Sequence, residues 1–211
     1  MAVNEEIIIM DKDYLHIDDC PSTIAREWLD RGQRETDELY KFVSYWIVFN
    51  HLYNYGIDDF DEIETIRIKD FCKKHSEVLA EVLDFNAEYL KPLKERPVIP
   101  GPGRVGIIDW KGDVDYLTER IYEIISRNRE SSHKEEISRF VAKDYQNICN
   151  PKAKLEYRVE SLIMTIYRIR CNLFHGMKSG DPGRDYELVV SAEKVLDCCL
   201  PALIKDTFWR I

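Results

Sequence analysis

The 211-residue sequence predicts an all-α protein, a helical bundle interrupted by one long Pro/Gly-rich loop. Two observations carry that expectation. Apolar residues recur at steps of three and four through the most regular stretches, which is the mark of helices with a buried face. Sequences of the capping-box type open two of the helical stretches, and glycine closes others.

At 25.0 kDa the chain is long enough for one well-covered core, so residues 1–211 read as a single domain. Hydrophobic residues make up 45% and charged residues 33%, with 9 Gly and 8 Pro, a balance that excludes extensive disorder. The longest apolar runs, Ile7-Ile8-Ile9 and Trp46-Ile47-Val48-Phe49, fall far short of the roughly 20 residues a membrane span needs. The first residues are acidic, with no basic run before an apolar stretch, so no secretory signal is expected. Cysteines at 20, 72, 149, 171, 198 and 199 form no C-x-x-C pair. A cytoplasmic, reducing location fits them, and most are expected to be small core residues.

The elements follow in chain order. Residues 1–21 form an acidic leader with no clear period. Helix begins near Ser22, and a core helix spans about Thr36 to Tyr55, with Leu39, Phe42 or Val43, Trp46, Phe49 or Asn50, and Tyr53 on its apolar face. Gly56 ends it. Asp59-Phe60-Asp61-Glu62 has the form of a capping box that opens a helix to about His75, and Ser76 to Leu90 continues or restarts it. Residues 91–112 hold Pro92, Pro97, Pro100, Pro102 and four glycines, and that density of breakers predicts a surface loop without helix. Helices resume over about Asp113 to Asn128, and again after Ser132-His133-Lys134-Glu135, to about Cys149. Asn150-Pro151 reads as a cap followed by proline at the first helical position. In the helix this begins, Leu155, Val159, Leu162, Ile166, Ile169 and Leu173 repeat at steps of four and three, the seam of a bundle helix. A last helix runs from about Tyr186, and Pro201 is expected to kink or interrupt it.

Function is expected at the end of the seam helix, in Ile169-Arg170-Cys171-Asn172-Leu173-Phe174-His175-Gly176. The net charge of −9 excludes a uniformly basic nucleic-acid coat, but the charge is uneven. Residues 1–20 carry a net −5, whereas residues 151–184, around the motif, carry a net +4. Taking the seam as inward, ~100° per residue places Arg170 roughly 60° from its centre, Asn172 roughly 100° and His175 roughly 160°. His175 therefore points away from its own core. A guanidinium matches phosphate and stays charged, and an imidazole exchanges protons near neutrality. The pair suits transesterification of an RNA phosphodiester by its own 2′-hydroxyl, a reaction that needs no metal and no cofactor. The wide splay between Arg170 and His175 makes one copy a half-site, completed by a second copy about a two-fold axis.

The Arg170-x4-His175 pattern on a late helix, the early run Trp46-Ile47-Val48-Phe49-Asn50-His51-Leu52-Tyr53, and Leu173-Phe174-His175-Gly176 resemble the HEPN superfamily, particularly bacterial Apea-like and related groups. The resemblance spans about residues 36–200. It implies a HEPN-type bundle with additional helices, dimerised around the motif as a metal-independent endoribonuclease, with many members acting as toxins or in antiviral defence. By position, Arg170 would neutralise the scissile phosphate and His175 would transfer protons. Members usually place a polar residue directly after the arginine. Here that position is Cys171, and Asn172, one step later, takes the role of orienting the phosphate.

Two other readings compete with this one. In the first, a non-catalytic HEPN module binds a nucleotide or a protein partner, such as an antitoxin or a nucleotidyltransferase. In the second, a plain helical scaffold neutralises Arg170 with an acid such as Glu160 or Glu187. The five histidines show no metal-binding spacing.

Overall fold

The computed structural model describes residues 21–57, 62–100, 113–128, 133–174 and 182–209. Within them lie nine α-helices and no strand. In order these are α1 (Pro21–Arg34), α2 (Glu38–Asn54), α3 (Glu64–Lys74), α4 (Ser76–Val82), α5 (Lys91–Glu95), α6 (Val114–Asn128), α7 (Lys134–Cys149), α8 (Leu155–Phe174) and α9 (Pro182–Trp209), with a 3-10 turn at Glu88–Leu90 before α5. No described helix is long and apolar enough to cross a membrane. The leader up to residue 20, Asp59 to Asp61 of the first capping box, Ser132 of the second, and residues 101–112 of the expected loop lie outside the described residues.

The centre of the bundle is α2. Asp37 caps it by accepting from the Leu39 and Tyr40 amides, and Gly56, at φ +73°, takes the left-handed turn beyond its end. The expected stripe of Phe42, Trp46, Phe49 and Tyr53 is buried, but Tyr45, Val48 and Leu52 are buried as well. A helix buried on most sides needs several neighbours, and α2 packs against α1, α3 and α9. The approach of α1 is close. A Cβ on Gly32 would stand 2.4 Å from Cε1 of the Tyr45 ring.

The seam helix α8 buries Val159, Leu162, Ile166 and Ile169 as its spacing predicts, and packs on α3, α4, α7 and α9. A second apolar cluster joins α6 to α7 through Leu117, Ile121, Ile125, Val141, Ala142 and Tyr145, with Ile99 completing it.

Three expectations need correction. The helix-free loop does not begin at residue 91, because Lys91–Glu95 is α5. Its Pro92 sits in the first helical turn, where a missing N–H breaks no intrahelical bond. The seam helix starts at Leu155 rather than at Pro151. Instead of capping, the Asn150 side chain accepts from the Lys152 amide and folds the intervening residues into a turn. Finally, α9 passes through Pro201 without interruption. Pro201 is exposed, while Cys199, Leu200, Leu203 and Ile204 are buried around it and hold the helix against the core.

Candidate functional site

The last turns of α8 present two faces with different partners. One stripe meets the α6–α7 side. Ser161 accepts from Asn147 at 3.0 Å, Arg168 donates to Asp144 at 2.8 Å, and Asn172 donates to the Ile99 carbonyl at 2.9 Å. The other stripe, Tyr167, Arg170 and Phe174 at helical steps of three and four, meets α2 and α3.

On that second face the Arg170 guanidinium is flanked by two rings. Its carbon lies 5.6 Å from the Trp46 ring centre and 5.4 Å from that of Phe174. Trp46 belongs to an aromatic cluster with Phe49, Tyr53 and Tyr167, at centroid distances of 5.4, 6.5 and 6.1 Å. Glu64, the first residue of α3, stands 3.8 Å from Arg170 Nη1. That carboxylate is already engaged, accepting the Tyr53 hydroxyl at 2.5 Å and the Tyr167 hydroxyl at 3.1 Å. Burial first, and then the Glu64 hydrogen bond, push the Tyr53 phenol up. Burial first, then Cys171 and Glu64, do the same for Tyr167. Both phenols therefore stay protonated donors at neutral pH. Burial disfavours the charge on Arg170, but the Cys171 and Glu64 contacts outweigh it and raise its pKa, so it stays a cation.

Arg170 is thus brought together with Trp46, Tyr53, Glu64, Tyr167, Cys171 and Phe174. Asn172 is not part of that group. Two residues along, it is turned by roughly 200° about the helix, and its amide is committed to the Ile99 backbone. His175 and Gly176 lie outside the described residues. The acid beside Arg170 is Glu64, not Glu160 or Glu187, and Glu187 pairs with Arg96 at 2.6 Å. Among the described residues, no group of three His, Cys, Asp or Glu is placed to hold a metal ion.

Sequence reading missed the roles of Glu64, Tyr53 and Tyr167. The aromatic spacing was available, since Trp46 and Tyr53 lie seven apart on α2 and Tyr167 lies three before Arg170. Glu64 gave no signal of its own, because its role follows from α3 packing on α8.

Chemically, the arrangement is a quarter-exposed cation, fixed in direction by aromatic rings and offset from a carboxylate that other donors occupy. Such a cation suits an incoming anion, and the exposed Phe174 ring beside it suits a planar group carried with that anion. No family model matches this chain, and neither does any curated protein or solved structure.

Proposed function

We propose that the protein is a metal-independent endoribonuclease of HEPN type, working as a homodimer in the cytoplasm, in the manner of a toxin or antiviral-defence effector. Arg170 holds the scissile phosphate, and His175 takes the proton from the 2′-hydroxyl or returns one to the leaving 5′-oxygen. The 2′-oxygen forms a bond to phosphorus as the bond to the 5′-oxygen breaks, leaving a cyclic phosphate and a 5′-hydroxyl. No cofactor enters that balance.

One observation carries this reading, the contrast between two arginines two residues apart. Arg168 is buried and bonded to Asp144 at 2.8 Å and to Thr165 at 3.1 Å, as a structural arginine is. Arg170 is a quarter exposed, with its carboxylate at 3.8 Å and no hydrogen bond to an oxygen acceptor among the described residues. It retains donors for a phosphate.

A second reading, a non-catalytic HEPN module for a nucleotide or for an antitoxin or nucleotidyltransferase partner, draws support from Glu64, whose charge partly offsets that of Arg170. Incubating the purified protein with mixed RNA in EDTA separates the two. Cleavage that disappears in His175→Ala and Arg170→Ala supports the nuclease. RNA left intact by the wild type, or equally cut by the variants, favours the binding module.

A further inference from the structure

We propose that Phe140 and Lys69 form a second contact for single-stranded RNA beside Arg170, a stacking station for a base on the strand that the Arg170 site grips. The inference rests on the ribonuclease reading and names residues that reading does not use.

Helix directions place the station. α7 runs antiparallel to α8, since Asn147 meets Ser161 while Asp144 meets Arg168. Phe140, one turn before Asp144, therefore lies level with the turn after Arg168, which holds Cys171 and Asn172. On the opposite flank, α3 begins at Glu64 beside Arg170 and Tyr167. From there Lys69 reaches across, its Nζ 5.4 Å from the centre of the Phe140 ring. Phe140 on α7 and Phe174 on α8 are 49% and 53% exposed, each with a cation over its ring. Glu64 and Lys69 are about 8 Å apart along the α3 axis, so one short strand spans both contacts.

Charge selects the occupant. Two of the nearby acids are already engaged, Glu64 by two tyrosines and Asp144 by Arg168. Lys69, and Lys143 one turn along α7 from Phe140, have no carboxylate within 4 Å among the described residues. An exposed ring flanked by uncommitted ammonium groups has the chemistry of a surface that stacks bases and tracks a phosphate backbone. An apolar partner helix would leave both ammonium groups without counter-charge.

The test measures binding of a fluorescent 12-mer of polyuridine to the full chain carrying His175→Ala, in EDTA, with thermal melts and sedimentation of every variant. Adding Phe140→Ala is expected to weaken binding about tenfold, while Phe140→Tyr retains it. Adding Lys69→Gln is expected to lower the slope of log affinity against log salt by about one. Unchanged affinity in Phe140→Ala overturns the proposal. So does a loss of self-association in that variant at unchanged melting temperature, which would make the patch a contact between copies. Binding that depends on Phe140 in a protein that cuts no RNA supports the station and removes only the nuclease reading. An absence of RNA binding by the His175→Ala chain overturns both.

Discussion

The Arg170 guanidinium stands 3.8 Å from the Glu64 carboxylate, near enough for attraction and too far for a hydrogen bond. Two tyrosine hydroxyls hold Glu64 at that offset. Arg168, two residues away on the opposite stripe, closes on Asp144 at 2.8 Å. The two arginines should therefore fail in different ways. Arg168→Ala leaves Asp144 with little solvent and no partner, and should cost about 3–5 kcal/mol of stability. Arg170→Ala should melt within a few degrees of the wild type and lose RNA binding and cleavage. Arg170→Lys should not restore them, because an ammonium lacks the planar fork. Urea unfolding and RNA cleavage, measured on the same preparations, check the contrast.

On the proposed ribonuclease reading, neutralising Glu64 should strengthen the grip on RNA. Glu64→Gln keeps an acceptor for the tyrosine hydroxyls and removes the charge that offsets Arg170. The pair is partly exposed, so the effect is modest, about two- to fivefold tighter binding. Anisotropy titrations of the His175→Ala chain with and without Glu64→Gln give the ratio. Weaker binding would mean that Glu64 orients Arg170 more than it neutralises it.

Much of the architecture is legible in spacing alone. Of the seam from Leu155 to Leu173, Val159, Leu162, Ile166 and Ile169 are buried, while Leu155 in the first turn is 41% exposed. What spacing hides is what arrives from far along the chain. The α2 pattern shows one apolar face, yet Tyr45, Val48 and Leu52 are buried too, because α1 and α9 close on that side. The breakers from Pro92 onward look continuous, but one proline in a first turn leaves a short helix intact. At the site, Arg170 is visible as a residue type, while Glu64 reaches it only through the packing of α3 on α8. Asn172 looks like a phosphate-orienting amide, and its partner is a main-chain carbonyl that no residue pattern announces.

The approach of α1 to α2 depends on the missing side chain at Gly32. A methyl there would overlap Tyr45, whose ring is buried and whose hydroxyl is tied to Asp197 at 2.5 Å. The ring cannot swing aside without breaking that bond. Gly32→Ala gains helix propensity but should still be less stable by about 1–3 kcal/mol, the range typical of overpacking. Adding Tyr45→Phe frees the ring from Asp197, so the double variant should lose less than the sum of the singles.

Stability should also respond to pH through Glu193, a fully buried carboxylate on α9. Burial raises its pKa, against the lowering pull of Lys194 at 3.2 Å and Lys41 at 3.4 Å, with Glu38 adding to the rise. An acid whose folded pKa lies above its unfolded value binds more protons in the native state. Its contribution is therefore largest at low pH and declines as pH rises past the unfolded value of ~4.3. Unfolding free energies of the wild type and Glu193→Gln, compared from pH 4 to pH 8, should show the wild type losing ground to the variant as pH rises. A constant difference would place the Glu193 titration outside that window.

The proposed homodimer makes a prediction that no single chain can meet. The sequence geometry splays Arg170 and His175 by roughly 140° about the helix, taken in steps of ~100° per residue, and Arg170 itself turns toward Trp46 and Glu64. A cleft that takes its arginine from one copy and its histidine from the other can be rebuilt from two defective chains. Arg170→Ala and His175→Ala should each be inactive alone. Unfolded together and refolded as a mixture, they should regain cleavage in the fraction that pairs unlike chains, because one cleft of such a dimer holds both native groups. Sedimentation confirms that dimers form, and RNA cleavage in EDTA reads the recovery. A mixture that stays inactive, with dimers present, would place both groups of each site on one chain.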